Sequence, residues 1–367
     1  MIPWICDQMF SDMGRWHLGG TPVLLLCVGA FIVSFLFVFF AGRTTAARLY
    51  RAGVRDRVRN YDAFFAKSKT GTPTMGGILI VGAIAAGGLM FCNLSSGTTG
   101  LLLLTTLWFG GIGALDDLLK VKHGSSDGGM SRGLKFLLQI AFAVFFAVIL
   151  VSEGCSPFPE EIRTTLLFPF PQGAAVDLGM IYPIFVVFVV VAVANAINFA
   201  DGLDGLAVLP SGLTAAVFAF FAYLAWNEFS AKVFGFTSTA GIQEVVVFAS
   251  SVVGACFGFL WFNGYPAQMF MGDTGSQALG GSLAAIAILS KQELLFVVAG
   301  GIFVFEAFSV FLQDYIGIRL IGRRFFFRAP AHHSYQHQGV AETKVVLRFW
   351  IASLLCAVLS VATLKLR

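Results

Sequence analysis

Asp116 and Asp117 stand side by side, and Lys120 follows one helical turn later. Adjacent carboxylates raise each other's pKa unless something cationic neutralises them, and a hard cation such as Mg2+ is the usual partner. Lys120 can pair with either acid or hold a substrate phosphate, the plain alternative being a solvated helix end. A second stretch, Asn195-Ala-Ile-Asn198-Phe-Ala-Asp201-Gly202-Leu203-Asp204-Gly205, sets two carboxylates three residues apart, each followed by glycine. On a helix these acids would share a face and repel unless a cation or donor-rich ligand lay between them; otherwise the stretch is an Asx-rich turn. Asp273 lies in Phe270-Met-Gly272-Asp-Thr-Gly-Ser276, among glycines and hydroxyls that suit a metal ligand whose backbone must be approached closely. Phe270 can stack on a base or simply pack.

Two further motifs are richer in donors than in acids. Lys69-Thr-Gly-Thr-Pro-Thr74-Met-Gly-Gly77 can offer backbone N–H groups and hydroxyls to an anion, although Gly-Thr-Pro is also ordinary turn chemistry. Ala329-Pro-Ala-His332-His333-Ser-Tyr-Gln-His337 gathers three of the five histidines in a basic loop. It has neither a cysteine nor a His-x-x-x-His pattern to argue for zinc, so anion binding or acid/base work is the better reading, with a basic headgroup contact as the alternative. Lys135 and Gln139 follow the paired acids, and Lys135 can act there or snorkel to the interface.

The elements that must carry these groups are membrane helices. The chain of 367 residues is 57% hydrophobic and 12% charged, with a mean hydropathy of +0.83. These values exclude a soluble globular class and predict an all-α polytopic membrane protein. Apolar runs of roughly 20 residues predict spans at 21–41, 76–94, 99–116, 134–152, 180–197, 206–226, 244–262, 278–290, 294–314 and 345–364. No stretch reads as a cleavable leader, and the single membrane domain expected over 1–367 leaves extramembrane segments too short for cores of their own. Arg43, Arg48, Arg51, Arg55, Arg57, Arg59, Lys67 and Lys69 make the first loop cytoplasmic, and Arg319, Arg323, Arg324, Arg328 and Lys344 agree independently. Every motif above then falls on the cytoplasmic face, with both termini outside. Six cysteines without any Cys-x-x-Cys read as small buried hydrophobes. An acidic cluster in a basic setting is what a divalent metal and phosphorylated substrates require.

In these residues the chain resembles the phospho-N-acetylmuramoyl-pentapeptide transferases, of the polyprenyl-phosphate sugar-1-phosphate transferase superfamily. The motifs match in order from Lys69 to the closing Arg348-Phe-Trp and Thr363-Leu-Lys-Leu-Arg. The resemblance implies ten helices with periplasmic termini in a bacterial inner membrane. It also implies transfer of phospho-MurNAc-pentapeptide from UDP-MurNAc-pentapeptide to undecaprenyl phosphate, giving lipid I and UMP with Mg2+. Carried over by position, Asp273 is the expected Mg2+ ligand, with Asp116, Asp117 and His332 as further catalytic residues. Lys69, Gly202, Leu203, Asp204, Asn263 and Phe270 match the uridine pocket, while Thr74, Lys120, Lys135, Asn198, Asp201 and His333 match other substrate positions. Membrane lipid and a second copy of the chain in a homodimer complete the expected partners; nucleic acid is not among them. Members usually carry three consecutive histidines, where this chain has Ser334 third, and the external loop 153–179 is particular to this sequence. A sibling transferase using UDP-GlcNAc and an ion-coupled transporter are the competing readings, the latter expecting acids at mid-membrane.

Overall fold

The computed structural model describes residues 21–55, 71–125, 128–169, 174–237, 239 and 241–366. Lys69, Lys67, Arg57, Arg59 and Cys6 lie outside them. In a bilayer the backbone must satisfy its own polar groups, so long apolar runs become helices. These are α1 (Thr21–Arg51), α2 (Gly77–Phe91), α3 (Gly97–His123), α4 (Arg132–Val151), α5 (Tyr182–Ala200), α6 (Val208–Trp226), the short α7 (Glu228–Phe234), α8 (Ile242–Asn263), α9 (Gly272–Leu289), α10 (Phe296–Ala299), α11 (Gly301–Phe311), α12 (Ala331–His337) and α13 (Glu342–Ala362). Among the described residues, eight helical segments are long and apolar enough to cross a membrane, and α2 is a shorter apolar helix.

The helices sit where hydropathy places them but run further into the polar motifs. Helix α3 continues to His123, so Asp116 and Asp117 lie within a helix and not at its end. Helix α9 begins at Gly272, six residues before the run predicted at 278, which brings Asp273 into its first turn. The span expected at 294–314 is broken at Gly300 into α10 and α11 and then continues as a π-helix over Leu312–Ile321. Of the described cysteines, Cys27, Cys92 and Cys256 are buried as expected, but Cys155 is exposed on the loop between α4 and α5.

Helix α9 is the axis of the bundle. Every residue from Thr274 to Leu289 is buried, and α3, α5, α2, α6 and α8 pack around it. Its composition, rich in Gly, Ala and Ser, lets neighbouring backbones come close, which is how membrane helices gain contact without a hydrophobic drive between them. Helices α1 and α13 instead expose rows such as Leu24, Leu25, Leu354 and Leu355.

At the far end of α9 the loop between α4 and α5 is tied down. Strands β1 (Thr165–Leu167) and β2 (Ala175–Asp177) pair antiparallel. The buried Lys291 ammonium donates to the carbonyls of Arg163 and Thr165, both at 3.2 Å, and to the Tyr182 hydroxyl at 2.8 Å. It also lies over the Phe158 and Tyr182 rings, while Tyr182 donates to Glu293 at 2.6 Å. Burial pulls the Lys291 pKa down to about 8, against the attraction of Glu293, and burial raises that of Glu293. An unfolded lysine titrates near ~10.4, so between about pH 8 and about pH 10 the unfolded chain holds more protons and the fold gains stability as pH rises. Below that window Lys291 is charged in both states and adds no slope. Lys291→Met should therefore lose about 3 kcal/mol of stability near neutrality, because Glu293 is left buried without its neighbouring cation, and should lose the alkaline slope. Glu293 remains in both proteins, so the difference between their melting curves across that pH range reports Lys291.

Candidate active site

Helices α3 and α9 cross with almost nothing between their backbones. A Cβ on Gly113 would fall 2.1 Å from the Asp273 carbonyl oxygen, so only glycine permits the approach. One turn later on the same face, Asp117 meets the first turn of α9. Its Oδ1 accepts from the Asp273 N–H at 3.1 Å, and its Oδ2 from the Thr274 N–H at 2.9 Å and hydroxyl at 2.7 Å. A carboxylate there satisfies two otherwise orphaned donors and sits at the positive end of the helix dipole. This bond from a distant helix is the reason α9 starts early. Gly272, at φ +71°, completes the turn, since a Cβ there would lie 2.6 Å from Asp117 Oδ2.

The Asp273 side chain is held on both oxygens. Asn198 of α5 donates to Oδ1 at 2.9 Å; Lys135 and Lys120 donate to Oδ2 at 2.6 and 3.0 Å. Lys120 also pairs with Asp116 at 2.7 Å, whose other oxygen accepts from the Met130 N–H at 2.7 Å. Lys135 therefore turns inward and does not snorkel. One oxygen from each of Asp116, Asp117 and Asp273 lies within 4.8 Å of the others, an all-oxygen donor set that fits a hard divalent cation such as Mg2+ and not a thiophilic metal. Asp201 ends α5, outside the helix, so the two acids of the Asp201–Asp204 stretch lie in a turn and do not share a helix face. Burial first, then the charges of Asp273, Asp117 and Asp204, push the Asp201 pKa well above the ordinary carboxylate range. A cation among these acids relieves that repulsion.

An amide triad, with Gln139 and Gln277 buried and Asn195 part-buried, stands behind the acids. Gln139, one turn beyond Lys135, donates to Gln277 Oε1 at 2.8 Å and accepts from Asn195 at 2.8 Å. It ties α4 to both α5 and α9, the helices that carry Lys135, Asn198 and Asp273.

The residues matched to nucleotide binding fall into two sets. Leu203, Asp204 and Asn263 are buried and brace the loops: Asp204 Oδ2 accepts from the Ala267 N–H at 3.0 Å, and Asn263 accepts from the Gly205 N–H and donates to the Met269 carbonyl, both at 3.0 Å. Gly202 is exposed and Phe270 part-exposed. Thr74, also part-exposed, lies in a loop stitched to Phe270 and Met271 by bonds from Phe270 N–H to Pro73 and from Gly76 and Gly77 N–H to Phe270 and Met271. That segment is thus both a turn and a wall of the site.

Helix α12 closes the side over Gly202. His332 is fully buried, with Nδ1 3.2 Å from Oε2 of Glu306 on α11, and its Nε2 packs against Gly202. His333 lies beside it, ring centres 4.2 Å apart, and bonds Gln336 at 3.0 Å. Ser334 takes no comparable place: its hydroxyl accepts from the Arg328 N–H and donates to the Arg328 carbonyl. Sequence reasoning passed over Glu306, Gln277 and Thr274. The signal for Glu306 was available, since an ionisable residue inside a membrane helix needs a reason to be there.

A helical membrane bundle with carboxylates and lysines converging at one end defines a class, the integral membrane transferases that handle phosphorylated substrates. The family model of glycosyl transferase family 4 matches residues 99–291. A phospho-N-acetylmuramoyl-pentapeptide-transferase of Desulfotalea psychrophila is 42% identical over 345 residues, covering 94% of each chain. One from Pelagibacter ubique is 43% identical over 301 residues, covering 82% of this chain and 81% of its own. The chain belongs to this family, the phospho-N-acetylmuramoyl-pentapeptide transferases of glycosyl transferase family 4.

Proposed function

We propose that the protein transfers phospho-N-acetylmuramoyl-pentapeptide from UDP-MurNAc-pentapeptide to undecaprenyl phosphate, forming lipid I and releasing UMP. It does so at the cytoplasmic face of the bacterial inner membrane, from ten spans with both termini outside. The observation that carries this reading is the meeting of Asp116, Asp117 and Asp273 with Lys120 and Lys135. A donor for two phosphorylated substrates and a seat for a cation are thereby built into one place.

Asp273, with Asp116 and Asp117, would hold Mg2+, which when bound offsets the charge of the phosphate oxygens as the substrates approach. Lys120 and Lys135 bind those oxygens from the side of α3 and α4, and Asn198 keeps Asp273 in position. Lys69, Thr74, Gly202 and Phe270 receive the nucleotide; Leu203, Asp204 and Asn263 hold the backbone that does so; Asp201, His332 and His333 complete the wall. In the reaction an oxygen of the lipid phosphate forms a bond to the β-phosphorus. The bond from that phosphorus to the α–β bridging oxygen breaks, and UMP leaves with its electron pair.

Direct displacement is favoured over an aspartyl-phosphate intermediate. Both oxygens of Asp117 and both of Asp116 already accept hydrogen bonds or ion pairs, and a carboxylate so engaged is a poor nucleophile. UMP release from UDP-MurNAc-pentapeptide in proteoliposomes containing undecaprenyl phosphate, set against UDP-GlcNAc and against chelator, tests the assignment. Turnover confined to the first substrate and lost with chelation is expected. Release from UDP-GlcNAc at an equal rate would replace this reading with the sibling transferase, and a trapped phosphoenzyme would restore the two-step route.

A further inference from the structure

A carboxylate inside a membrane helix is costly and persists only with a partner or a task. Glu306 of α11 is 0% exposed, and so is His332 of α12, which it faces. Glu306 Oε2 lies 3.2 Å from His332 Nδ1, while Glu306 Oε1 and His332 Nε2 have no hydrogen-bond partner among the described residues. The pair is not left to chance by the backbone. Ser309, one turn along α11, accepts from the Ala331 N–H at 3.0 Å and donates to the Glu306 carbonyl at 2.7 Å, so the start of α12 is docked on the same turn of α11 that carries the acid. On the opposite edge of the imidazole, Nε2 touches Gly202, where an added Cβ would fall 2.2 Å from it. Gly202 belongs to the turn between Asp201 and Asp204, next to the acids of the site.

We propose that Glu306 is a positioning residue for His332: it holds the proton on Nδ1 and fixes the ring so that Nε2 is the atom presented at the Asp201–Asp204 turn to the phosphorylated substrate. A carboxylate behind one ring nitrogen sets which nitrogen works, a device seen wherever imidazoles must act in a fixed tautomer. The assignment rests on the reading of His332 as part of the transferase site. It goes beyond that reading in giving a buried acid on another helix, 26 residues earlier in the chain, control of which ring atom is used.

The full-length protein in lipid nanodiscs carries the test. With 15N-histidine labelling and His332 signals identified by their loss in His332→Asn, solid-state NMR should show a protonated Nδ1 in the wild type and a mixture of tautomers in Glu306→Gln. Glu306→Gln should lower kcat about a hundredfold with KM for the nucleotide sugar within about twofold, and the double variant with His332→Asn should be no slower than His332→Asn alone. Glu306→Asp, which keeps the charge at shorter reach, should recover part of the loss. A wild-type His332 with its proton on Nε2, or effects of Glu306→Gln and His332→Asn that multiply, would overturn the proposal. So would a Glu306→Gln protein that melts lower but turns over normally. Should the wild type transfer no phospho-sugar at all, the proposed function falls, while the NMR arm still decides whether Glu306 sets the tautomer.

Discussion

Exchange of Asp273 for asparagine is expected to lower the transfer rate at least about a thousandfold in a protein that still folds and inserts. Asparagine keeps the shape, and its main-chain N–H still reaches Asp117, so the start of α9 survives. What is lost is the charge on which two lysines and one amide converge. Lys120 and Lys135 are then left with Asp116 alone, and the proposed Mg2+ site loses a charged ligand. UMP release measured against Mg2+ concentration, beside a melting curve, separates the two effects. Activity retained at any Mg2+ level would remove the metal role from Asp273.

The second large effect is expected from a single methyl group far smaller than any catalytic side chain. Gly113→Ala should cost about a hundredfold in rate, because a Cβ placed 2.1 Å from the Asp273 carbonyl oxygen must push α3 and α9 apart, and misplacement of reacting groups by an ångström has that order of effect. Gly111→Ala on the same helix is the control: its added methyl meets nothing within 4 Å, and alanine is the better helix former. Near-normal turnover is expected there. If the two variants behave alike, the close crossing is not what aligns Asp273 with Asp117.

How much of this could be read from the chain depends on how far apart the partners lie in sequence. The Asp116–Lys120 pair was legible because its spacing is one helical turn, and the apolar runs placed the helices, although α1 runs to Arg51 and α3 to His123, well past the predicted 41 and 116. The early start of α9 was not, since glycine-rich Met271–Ser276 looks like loop until Asp117, more than 150 positions away in the chain, supplies acceptors for its first N–H groups. The same holds for Lys135, whose two readings, inward or snorkelling, are decided by Asp273. Asp204 and Asn263 were assigned to the nucleotide pocket by resemblance, but only the packing reveals that their polar atoms serve the loops. Glu306 was overlooked because it is a lone acid in an apolar run, and Gln277 because its partner Gln139 sits on another helix.

The burial of α9 from Thr274 onward also sets where this sequence is free to drift. Lipid-facing rows on α1 and α13 need only remain apolar, so Leu, Ile, Val and Phe can interchange there with little consequence. Along α9, from Thr274 to Leu289, each position touches another helix and admits only exchanges of nearly equal volume. Variation among descendants of this chain should therefore thin out toward the axis, in a gradient that follows packing depth and not distance from the chemistry.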